Sequence, residues 1–506
     1  MAATESLAPL IGRRSMTLLL HAWTATESSV EQNKRLWLSL VAAIFALQSW
    51  LVLNHVPWLD ELQALLIALQ SPSLSALLGN LSYEGHPPLW YMLLRTVHAI
   101  VPTASVLAAT SLGIATLTQA LIQFRAPFSK MERLLLGMSE IVLFEYGTIA
   151  RSMALGGLFV LATAALWQRR SVWLAIAILP LCDFLFGVAS LMFVVLLAKE
   201  RRIWLPGLLL WMVCSVGAAL SVIPATDMVP AEFHLSPFVE LTDFLQRLGG
   251  LVLPFQTFLG RLAWDGFPPF GLGGPFGVIL LMWLWQRYSH DHWQRAVMFG
   301  LIGVCFALSM LVYPIHFRHL TIIGLMVIAL TWIGPNQSPR EQWRWRAWLL
   351  VGAVCGATTA IVSARMPFDA GPQAARTVAA LATDDMPLLA FPANRIPAIF
   401  PYLGREIVQP EQGCSHSFVR WNAPNTIRNG RLLNQALYRW ADEYGRSVLI
   451  LERLPKGVSA DIYQPVAPPL RAYNGQRYYV GILGPKRAVK PRVFRSCVPG
   501  KAVWPQ

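Results

Sequence analysis

Long uninterrupted apolar runs constrain this chain more than any other feature of its sequence. Three of the clearest are residues 36–53, 203–223 and 296–312. A helix needs about 20 residues, with about 17 as the lower limit, to cross the hydrocarbon core of a bilayer. Only 13% of the 506 residues are charged and 55% are apolar, whereas an average soluble domain is about 25% charged. The pattern excludes a soluble globular protein and predicts an all-α polytopic membrane domain with roughly 9–11 transmembrane helices.

The apolar pattern divides the chain into three parts. Residues 1–34 are mostly polar, which predicts a cytoplasmic segment followed by a first helix that is retained rather than cleaved. Residues 35–365 contain the membrane-length runs. From 366 onward the runs shrink to the length of strands and amphipathic helices, so we expect a small soluble α/β domain at 366–506. The predicted helices are 377–382 and 432–444, and the predicted strands are 388–391, 448–451 and 478–483.

Basic residues in the short loops predict the orientation of the chain. Because such clusters remain in the cytoplasm, the loops between them face outward, together with the C-terminal domain. The outward loops are 145–151, 224–270 and 313–319. The basic clusters are 169–170, 199–202, 287–295 and 340–346.

The number of apolar segments in one region does not agree with this topology. An even number of crossings must separate Asp60 from Arg151 if both face outward, but three apolar segments lie between them, near 87–103, 104–123 and 132–146. We expect the first of these, which begins with Pro87 and Pro88, to lie along the membrane or re-enter it rather than cross.

A second irregularity concerns the segment between Arg170 and Lys199. It contains only 28 residues, so each arm of a hairpin would rise about 21 Å, which is short of a hydrocarbon core about 30 Å thick. We expect a hairpin that stops inside the membrane, with Asp183 near its tip. An ionisable group at that depth either faces a wet cavity or a partner, or only binds a helix-terminal amide.

The first outward loop concentrates charge beside the bilayer. Asp60 and Glu61 follow the first apolar run, and Glu84 and His86 come about two dozen residues later. Charge in such a place is energetically costly and usually functional.

These residues also form a known pattern. An Asp-Glu pair after the first span, followed by Glu84-Gly85-His86-Pro87-Pro88-Leu89, resembles the polytopic GT-C glycosyltransferases. That family includes protein O-mannosyltransferases and the bacterial transferases for lipid A aminoarabinose and lipopolysaccharide cores. The resemblance covers about residues 35–335. It implies a GT-C type membrane domain, a polyprenyl-phosphate sugar donor and membrane lipids as neighbours, with no nucleic-acid partner. The acceptor would be a hydroxyl of lipopolysaccharide, lipid A, another polysaccharide or a protein, on the periplasmic face of the bacterial inner membrane.

Glycosyl transfer to a hydroxyl needs a base for the acceptor proton, and a carboxylate can serve. Asp60 is the predicted base, while Glu61 and Glu84 would orient the acceptor or help to bind a divalent cation. No other cofactor is implied. Alternatively, one of the three carboxylates only caps a helix.

The departing phosphate needs cationic hydrogen-bond donors. The outward face offers His86, Arg151, Arg318 and His319, with Arg318 the leading candidate and Arg151 the second. Either arginine could instead anchor a helix end at the interface. The family's related transferases carry a lysine just after the later glutamate, where this chain has Gly85-His86. The predicted supporting residues are Glu145, Tyr313 and Asp183.

Two other functions remain open from the sequence. A lipid-linked sugar flippase or transporter would favour charges in mid-membrane, and a membrane-bound acyltransferase would use an intramembrane histidine. The six cysteines show no metal-ligand spacing. Cys414 and Cys497 lie in the polar tail and could form a disulfide if that tail faces an oxidising compartment.

Overall fold

The fold was derived from a computed structural model of the chain. It describes residues 23, 25–228, 237–254, 271–312, 315–334, 338–421, 430–466, 468–484 and 494–498. Tyr313 and much of the predicted loop 224–270 lie outside these residues.

All regular secondary structure in the described residues of the membrane domain is helical. Four segments are long and apolar enough to cross a bilayer, namely α1, α5 with the 3-10 turn Thr103–Ser105 before it, α13 and α15. Five shorter helices, α7, α8, α9, α10 and α14, are also apolar. The predicted all-α polytopic membrane domain is therefore confirmed. In chain order its helices are α1 (Lys34–Asn54), α2 (Leu59–Gln70), α3 (Leu74–Leu81), α4 (Leu89–His98), α5 (Val106–Arg125), α6 (Lys130–Met138), α7 (Ser152–Ala165), α8 (Val172–Cys182), α9 (Phe184–Lys199), α10 (Leu205–Ser221), α11 (Pro237–Gly249), α12 (Gly273–Arg287), α13 (His292–Leu311), α14 (Phe317–Ile333) and α15 (Pro339–Arg365).

Ion pairs join the helix ends that the sequence assigns to the cytoplasm. Arg346 on α15 contacts Glu27 at 2.6 Å and Glu132 at 3.0 Å, and Lys199 at the end of α9 contacts Asp291 at 2.9 Å. The predicted basic clusters thus gather at one end of the bundle. Asp183, which caps the start of α9, lies at the opposite end of that helix from Lys199.

Both segments for which the sequence predicts an incomplete crossing contain helices that are too short to cross a membrane. α4 has 10 residues and is about 15 Å long, which fits the predicted non-crossing segment after Pro87. α8 and α9 have 11 and 16 residues and rise about 16 and 24 Å, less than the core thickness of about 30 Å. Asp183 separates the two helices, as expected for the tip of a short hairpin.

The soluble domain is α/β, as predicted. Its sheet has the order β3-β2-β1-β4-β7-β5, with β6 also paired to β7. β1 is parallel to β2 and β4, and the remaining pairs are antiparallel. The strands are β1 (Leu388–Phe391), β2 (Ile407–Gln409), β3 (Cys414–His416), β4 (Ser447–Leu451), β5 (Tyr463–Pro465), β6 (Leu470–Arg471) and β7 (Arg477–Leu483), and the helices are α16 (Gly371–Leu381), α17 (Phe400–Leu403) and α18 (Gly430–Tyr444).

Both faces of the central strands are covered, which explains why β1 and β4 are apolar at every position but one. Leu389 and Leu449 pack with α18, while Leu388 and Val448 belong to the core that includes α16. Continuous apolar strands are typical of sheets buried on both sides. A disulfide joins Cys414 to Cys497.

The soluble domain packs closely on the membrane domain. An aromatic cluster joins them, in which Phe368 and Tyr473 contact Phe144, and Phe368 also contacts Trp58. α15 ends at Arg365, immediately before this cluster. The chain therefore passes from the last long helix directly onto the end of the bundle that carries Asp60.

Candidate active site

Asp60 lies between two arginines that come from distant parts of the chain. Its Oδ2 is 3.1 Å from Nη2 of Arg151 and 4.0 Å from Nη2 of Arg318. Asp60 is in the first turn of α2, where the unpaired N–H groups of the helix also favour a negative charge. About 29% of the Asp60 side chain is exposed, so it remains reachable from solvent.

Arg151 is positioned by an interruption between α6 and α7. A π-helical turn, Ile141–Glu145, is followed by turns that end at Arg151, the N-cap of α7. Glu61 secures this segment, because its carboxylate accepts a hydrogen bond of 2.6 Å from the backbone N–H of Ala150. Buried irregular backbone requires such internal partners.

Glu61 itself is completely buried. Besides Ala150, it contacts His55 Nε2 at 2.9 Å and accepts a 2.9 Å hydrogen bond from the N–H of Trp58. Its catalytic role stays a prediction. The observed contacts suit a residue that fixes the backbone before Asp60, at Trp58, and the backbone before Arg151, at Ala150.

Arg318 lies in the first turn of α14. The segment before it is held by Arg247, whose Nη1 donates to the carbonyl of Ile315 at 2.5 Å. His319 Nδ1 accepts a 3.2 Å hydrogen bond from the N–H of His316 and so caps the same helix start. One ring nitrogen of His319 is therefore used locally, and its predicted role toward phosphate remains a prediction.

Trp58 supports both arginines. The guanidinium carbons of Arg151 and Arg318 lie 5.7 and 5.2 Å from the centre of its ring. Cation–π contacts of this length stabilise and orient a guanidinium group. Sequence reasoning did not identify Trp58, although its place two residues before Asp60 was a usable signal.

Glu84 lies in the loop between α3 and α4. Its Oε1 accepts hydrogen bonds from Gln63 Nε2 at 2.7 Å and from Trp421 Nε1 at 3.1 Å. Burial raises the pKa of Glu84 to about 7, although both hydrogen bonds lower it, and the charge of Asp60 is close enough to contribute. Glu84 therefore changes charge near neutral pH. This property suits a group that exchanges a proton or a hydrogen bond with a substrate hydroxyl.

His86 is paired with Asp183, at 3.1 Å between Nδ1 and Oδ2. Burial lowers the pKa of His86, but the hydrogen bond and charge of Asp183 outweigh it, so the net shift is upward. Asp183 also accepts the N–H of Leu185 at 3.0 Å and caps α9. Asp183 therefore has both contacts that the sequence left open. It accepts a hydrogen bond from a helix-terminal amide, and it pairs with an ionisable partner, His86.

The remaining predicted residues are less informative. Glu145 is buried at the end of the π-helical turn, and Tyr313 lies outside the described residues.

The three predicted carboxylates have other partners than a cation. Asp60 is paired with arginines, both oxygens of Glu61 accept hydrogen bonds, and Oε1 of Glu84 has two donors. The described carboxylates therefore do not form a group suited to a divalent cation. The His/Cys/Asp/Glu group of metal-site size in the described chain, Cys414, His416 and Cys497, has its two thiols joined in the disulfide.

The comparisons with known proteins concern the fold. No family model and no curated protein matches the chain. The crystal structure of ArnT from Cupriavidus metallidurans in the apo state is similar, with 13% identity and a TM-score of 0.50 over 88% of this chain and 97% of that chain. The structure of ArnT from the same organism bound to undecaprenyl phosphate has 12% identity and a TM-score of 0.47 over the same shares.

The chain has the fold of ArnT. The likeness to ArnT extends over the membrane domain and the soluble domain, because it covers nearly all of both chains. At 13% identity it establishes the fold, and the function has to be argued from the residues of the site.

Proposed function

We propose that this protein is a GT-C glycosyltransferase that moves a sugar from a polyprenyl-phosphate carrier to an acceptor hydroxyl. The observation that carries the proposal is the position of Asp60 between Arg151 and Arg318. The reaction needs a carboxylate to take a proton beside fixed cations that stabilise a leaving phosphate. Here the three side chains meet at the end of an apolar bundle, where a lipid carrier would present its phosphate.

The two arginines are suited to a phosphate by charge and by fixed geometry. They place two positive charges beside one Asp60 carboxylate, and Trp58 holds both of them in place. Nη1 of Arg151 is buried and has no hydrogen-bond partner among the described residues. A phosphate oxygen would supply one, since a guanidinium group binds phosphate through several N–H donors at once.

The proposed reaction is a direct displacement at the anomeric carbon of the sugar. The acceptor oxygen forms a bond to that carbon while the bond from the carbon to the phosphate oxygen breaks. The acceptor proton passes to Asp60, and the electron pair of the broken bond leaves with the polyprenyl phosphate. Arg151 and Arg318 stabilise the charge that develops on the phosphate, with His86 as a further cation.

The proposal places the site and the soluble domain on the periplasmic side of a bacterial inner membrane. The basic clusters at the opposite end support this orientation, and so does the Cys414–Cys497 disulfide, because disulfides persist in oxidising compartments. The acceptor would be a glycan, lipid or protein hydroxyl exposed there, such as one of lipopolysaccharide or lipid A.

A transfer assay tests this function directly. Purified protein in lipid nanodiscs would be given a panel of polyprenyl-phosphate sugars carrying a labelled sugar, together with envelope extract as the source of acceptors. We expect labelled acceptor and free polyprenyl phosphate in equal amounts. Movement of intact donor across the bilayer of vesicles, without cleavage, would instead identify a flippase. Transfer of an acyl group would identify the acyltransferase alternative.

A further inference from the structure

A short segment of the soluble domain enters the site region of the membrane domain. It runs from Ser417 to Trp421, directly after β3. Ser417 donates a hydrogen bond to Gln70 on α2, and Arg420 donates two to Oδ1 of Asn80 on α3, at 3.0 and 2.7 Å. The contacts therefore span two helices and extend to the loop that carries Glu84.

Gln63 is the centre of this junction. Its Oε1 accepts the N–H of Val419 at 3.0 Å, and its Nε2 donates to the carbonyl of Val419 at 2.7 Å. The same Nε2 donates to Oε1 of Glu84 at 2.7 Å. Both hydrogens of the amide nitrogen are thus used, and Gln63 is only 3% exposed. The backbone of the soluble domain consequently fixes which way this amide faces, and the amide in turn holds Glu84.

Trp421 completes the arrangement. Its indole N–H donates to the same oxygen, Oε1 of Glu84, at 3.1 Å. Oε1 therefore has two donors, whereas Oε2 of Glu84 has no hydrogen-bond partner in the part of the chain that the structure describes. Holding one carboxylate oxygen orients the other, so the free oxygen points in a direction that Gln63 and Trp421 determine.

We propose that Trp421 of the soluble domain is a positioning residue for Glu84 and orients Oε2 toward the acceptor hydroxyl. The inference rests on the proposed function, because it assigns Glu84 to the acceptor side of that reaction. It differs from it in locating part of the active site outside the membrane domain. A glycosyl acceptor must be held by its hydroxyl while Asp60 takes the proton, and a second carboxylate in fixed orientation supplies that contact.

Several charged or titratable groups influence Glu84 besides its two donors. His86 lowers its pKa and Asp60 raises it through their charges, and Tyr91 on α4 is also within electrostatic range. Each belongs to the membrane domain and is unchanged in a Trp421 variant. An effect of such a variant on Glu84 therefore reports the indole contact itself.

The decisive variant is Trp421→Phe, which keeps an aromatic ring and removes the N–H donor. Protonation of Glu84 would be followed by infrared difference spectroscopy of its carboxyl band on the full-length protein, with Glu84→Gln as the reference. A donor to a carboxylate favours the charged form, so its loss should raise the midpoint by about 1 pH unit. Ser417→Ala is the matched control, since it removes a hydrogen bond of the same segment that does not involve Glu84, and its midpoint should not move.

Transfer kinetics supply a second readout. In Trp421→Phe we expect the KM for the acceptor to be about 5- to 10-fold higher near neutral pH, because a shift of about 1 pH unit lowers the ionised fraction of Glu84 by about that factor. The KM for the donor should not change, and the KM for the acceptor should partly recover at alkaline pH. An unchanged Glu84 midpoint, or an equal loss of activity at all pH values, would mean that Trp421 only packs the domains together and would overturn the inference. If the wild-type protein transfers no sugar, the proposed function fails, and the infrared midpoint still decides whether Trp421 positions Glu84.

Discussion

Nη2 of Arg151 lies 3.1 Å from Oδ2 of Asp60, and the residue next to Asp60 holds the segment that carries this arginine. Glu61 accepts the N–H of Ala150, immediately before Arg151. The two adjacent carboxylates thus have different roles. Asp60 contacts the guanidinium group of Arg151, and Glu61 fixes the backbone just before Arg151. The Asp-Glu order matters for this reason, because exchanging the two residues would bury the wrong carboxylate.

Asp60→Asn tests the proposed base. We expect transfer to fall by about 100-fold, the lower range for loss of acid–base catalysis. Donor affinity should be kept, because the arginines lose a competing negative charge. Turnover and donor binding would be measured on the same purified protein. Asp291→Asn at the opposite end of the bundle, where Asp291 contacts Lys199, is the control and should transfer normally. Near-normal turnover in Asp60→Asn would end the assignment.

Arg318→Ala tests the phosphate ligand. Loss of a charged hydrogen-bond donor should raise the apparent KM for the lipid donor by about 10- to 100-fold. Arg318→Lys keeps the charge but loses the planar fork, so its effect should be smaller. Arg344→Ala, at the other end of the bundle, removes an arginine paired with Glu341 and should not change donor affinity. A lower protein yield with unchanged donor affinity would instead show that Arg318 only anchors α14.

The pH dependence of transfer tests Glu84. Because its pKa is raised to about 7, the group is protonated below that pH and ionised above it. If ionised Glu84 accepts a hydrogen bond from the hydroxyl of the sugar acceptor, transfer should rise as pH increases from about 6 to about 8. Glu84→Gln cannot ionise, so this rise should be absent and activity should be low throughout. A rise of the same size and midpoint in Glu84→Gln would assign the titration to another group.

Asp183→Asn separates the charge of Asp183 from its capping role. Asparagine can still accept the N–H of Leu185 and cap α9, but the hydrogen bond and negative charge that raise the pKa of His86 are weakened or lost. The pKa of His86 should then fall, so donor KM should rise several-fold at neutral pH and recover at more acidic pH, where a larger fraction of His86 is charged. The measurement is donor KM across the pH range. A pH-independent change in KM would argue against a charged His86 at the phosphate.

The orientation of the soluble domain can be tested in cells. A reporter fused after Gln506 should behave as exported, and Cys414 and Cys497 should resist alkylation until reduced. The disulfide closes a loop with a sequence separation of 83, which stabilises the folded domain by roughly 4.5 kcal/mol in the chain-entropy view. Cys414→Ser should therefore lower the stability of this domain. A cytoplasmic reporter signal would contradict the placement of the active site as well.

The sequence was sufficient for the membrane domain and for several strands of the soluble domain. Leu388–Phe391 was predicted with its observed bounds, because a short apolar run between turn residues has few alternatives. Asp60, Arg151 and Arg318 were selected from the loops of one predicted face, and the structure brings them together; their roles remain predictions.

The contacts made by the soluble domain could not be predicted. Gln63 is uncharged and belongs to no motif in the sequence, and Trp421 lies in a segment without a recognisable pattern. Their link through Val419 and Glu84 depends on how two domains pack, and hydrogen bonds between residues so far apart leave no periodicity in a single sequence. Glu61 was predicted from its charge and from the Asp-Glu pattern, whereas its complete burial and its contact with Ala150 arise only when distant segments pack together.

The bond between Gln63 and Val419 has a consequence for the order in which this protein becomes competent during synthesis. Asp60 and both arginines are translated well before Trp421. A nascent or truncated chain that ends before β3 would therefore carry its charged centre with the Gln63 amide lacking both backbone partners and Glu84 held by one donor fewer. Because unpaired buried polar groups are unfavourable, arrival of the tail both completes and rigidifies the centre. A segment that is made late in synthesis thus completes a centre whose charged residues are made earlier.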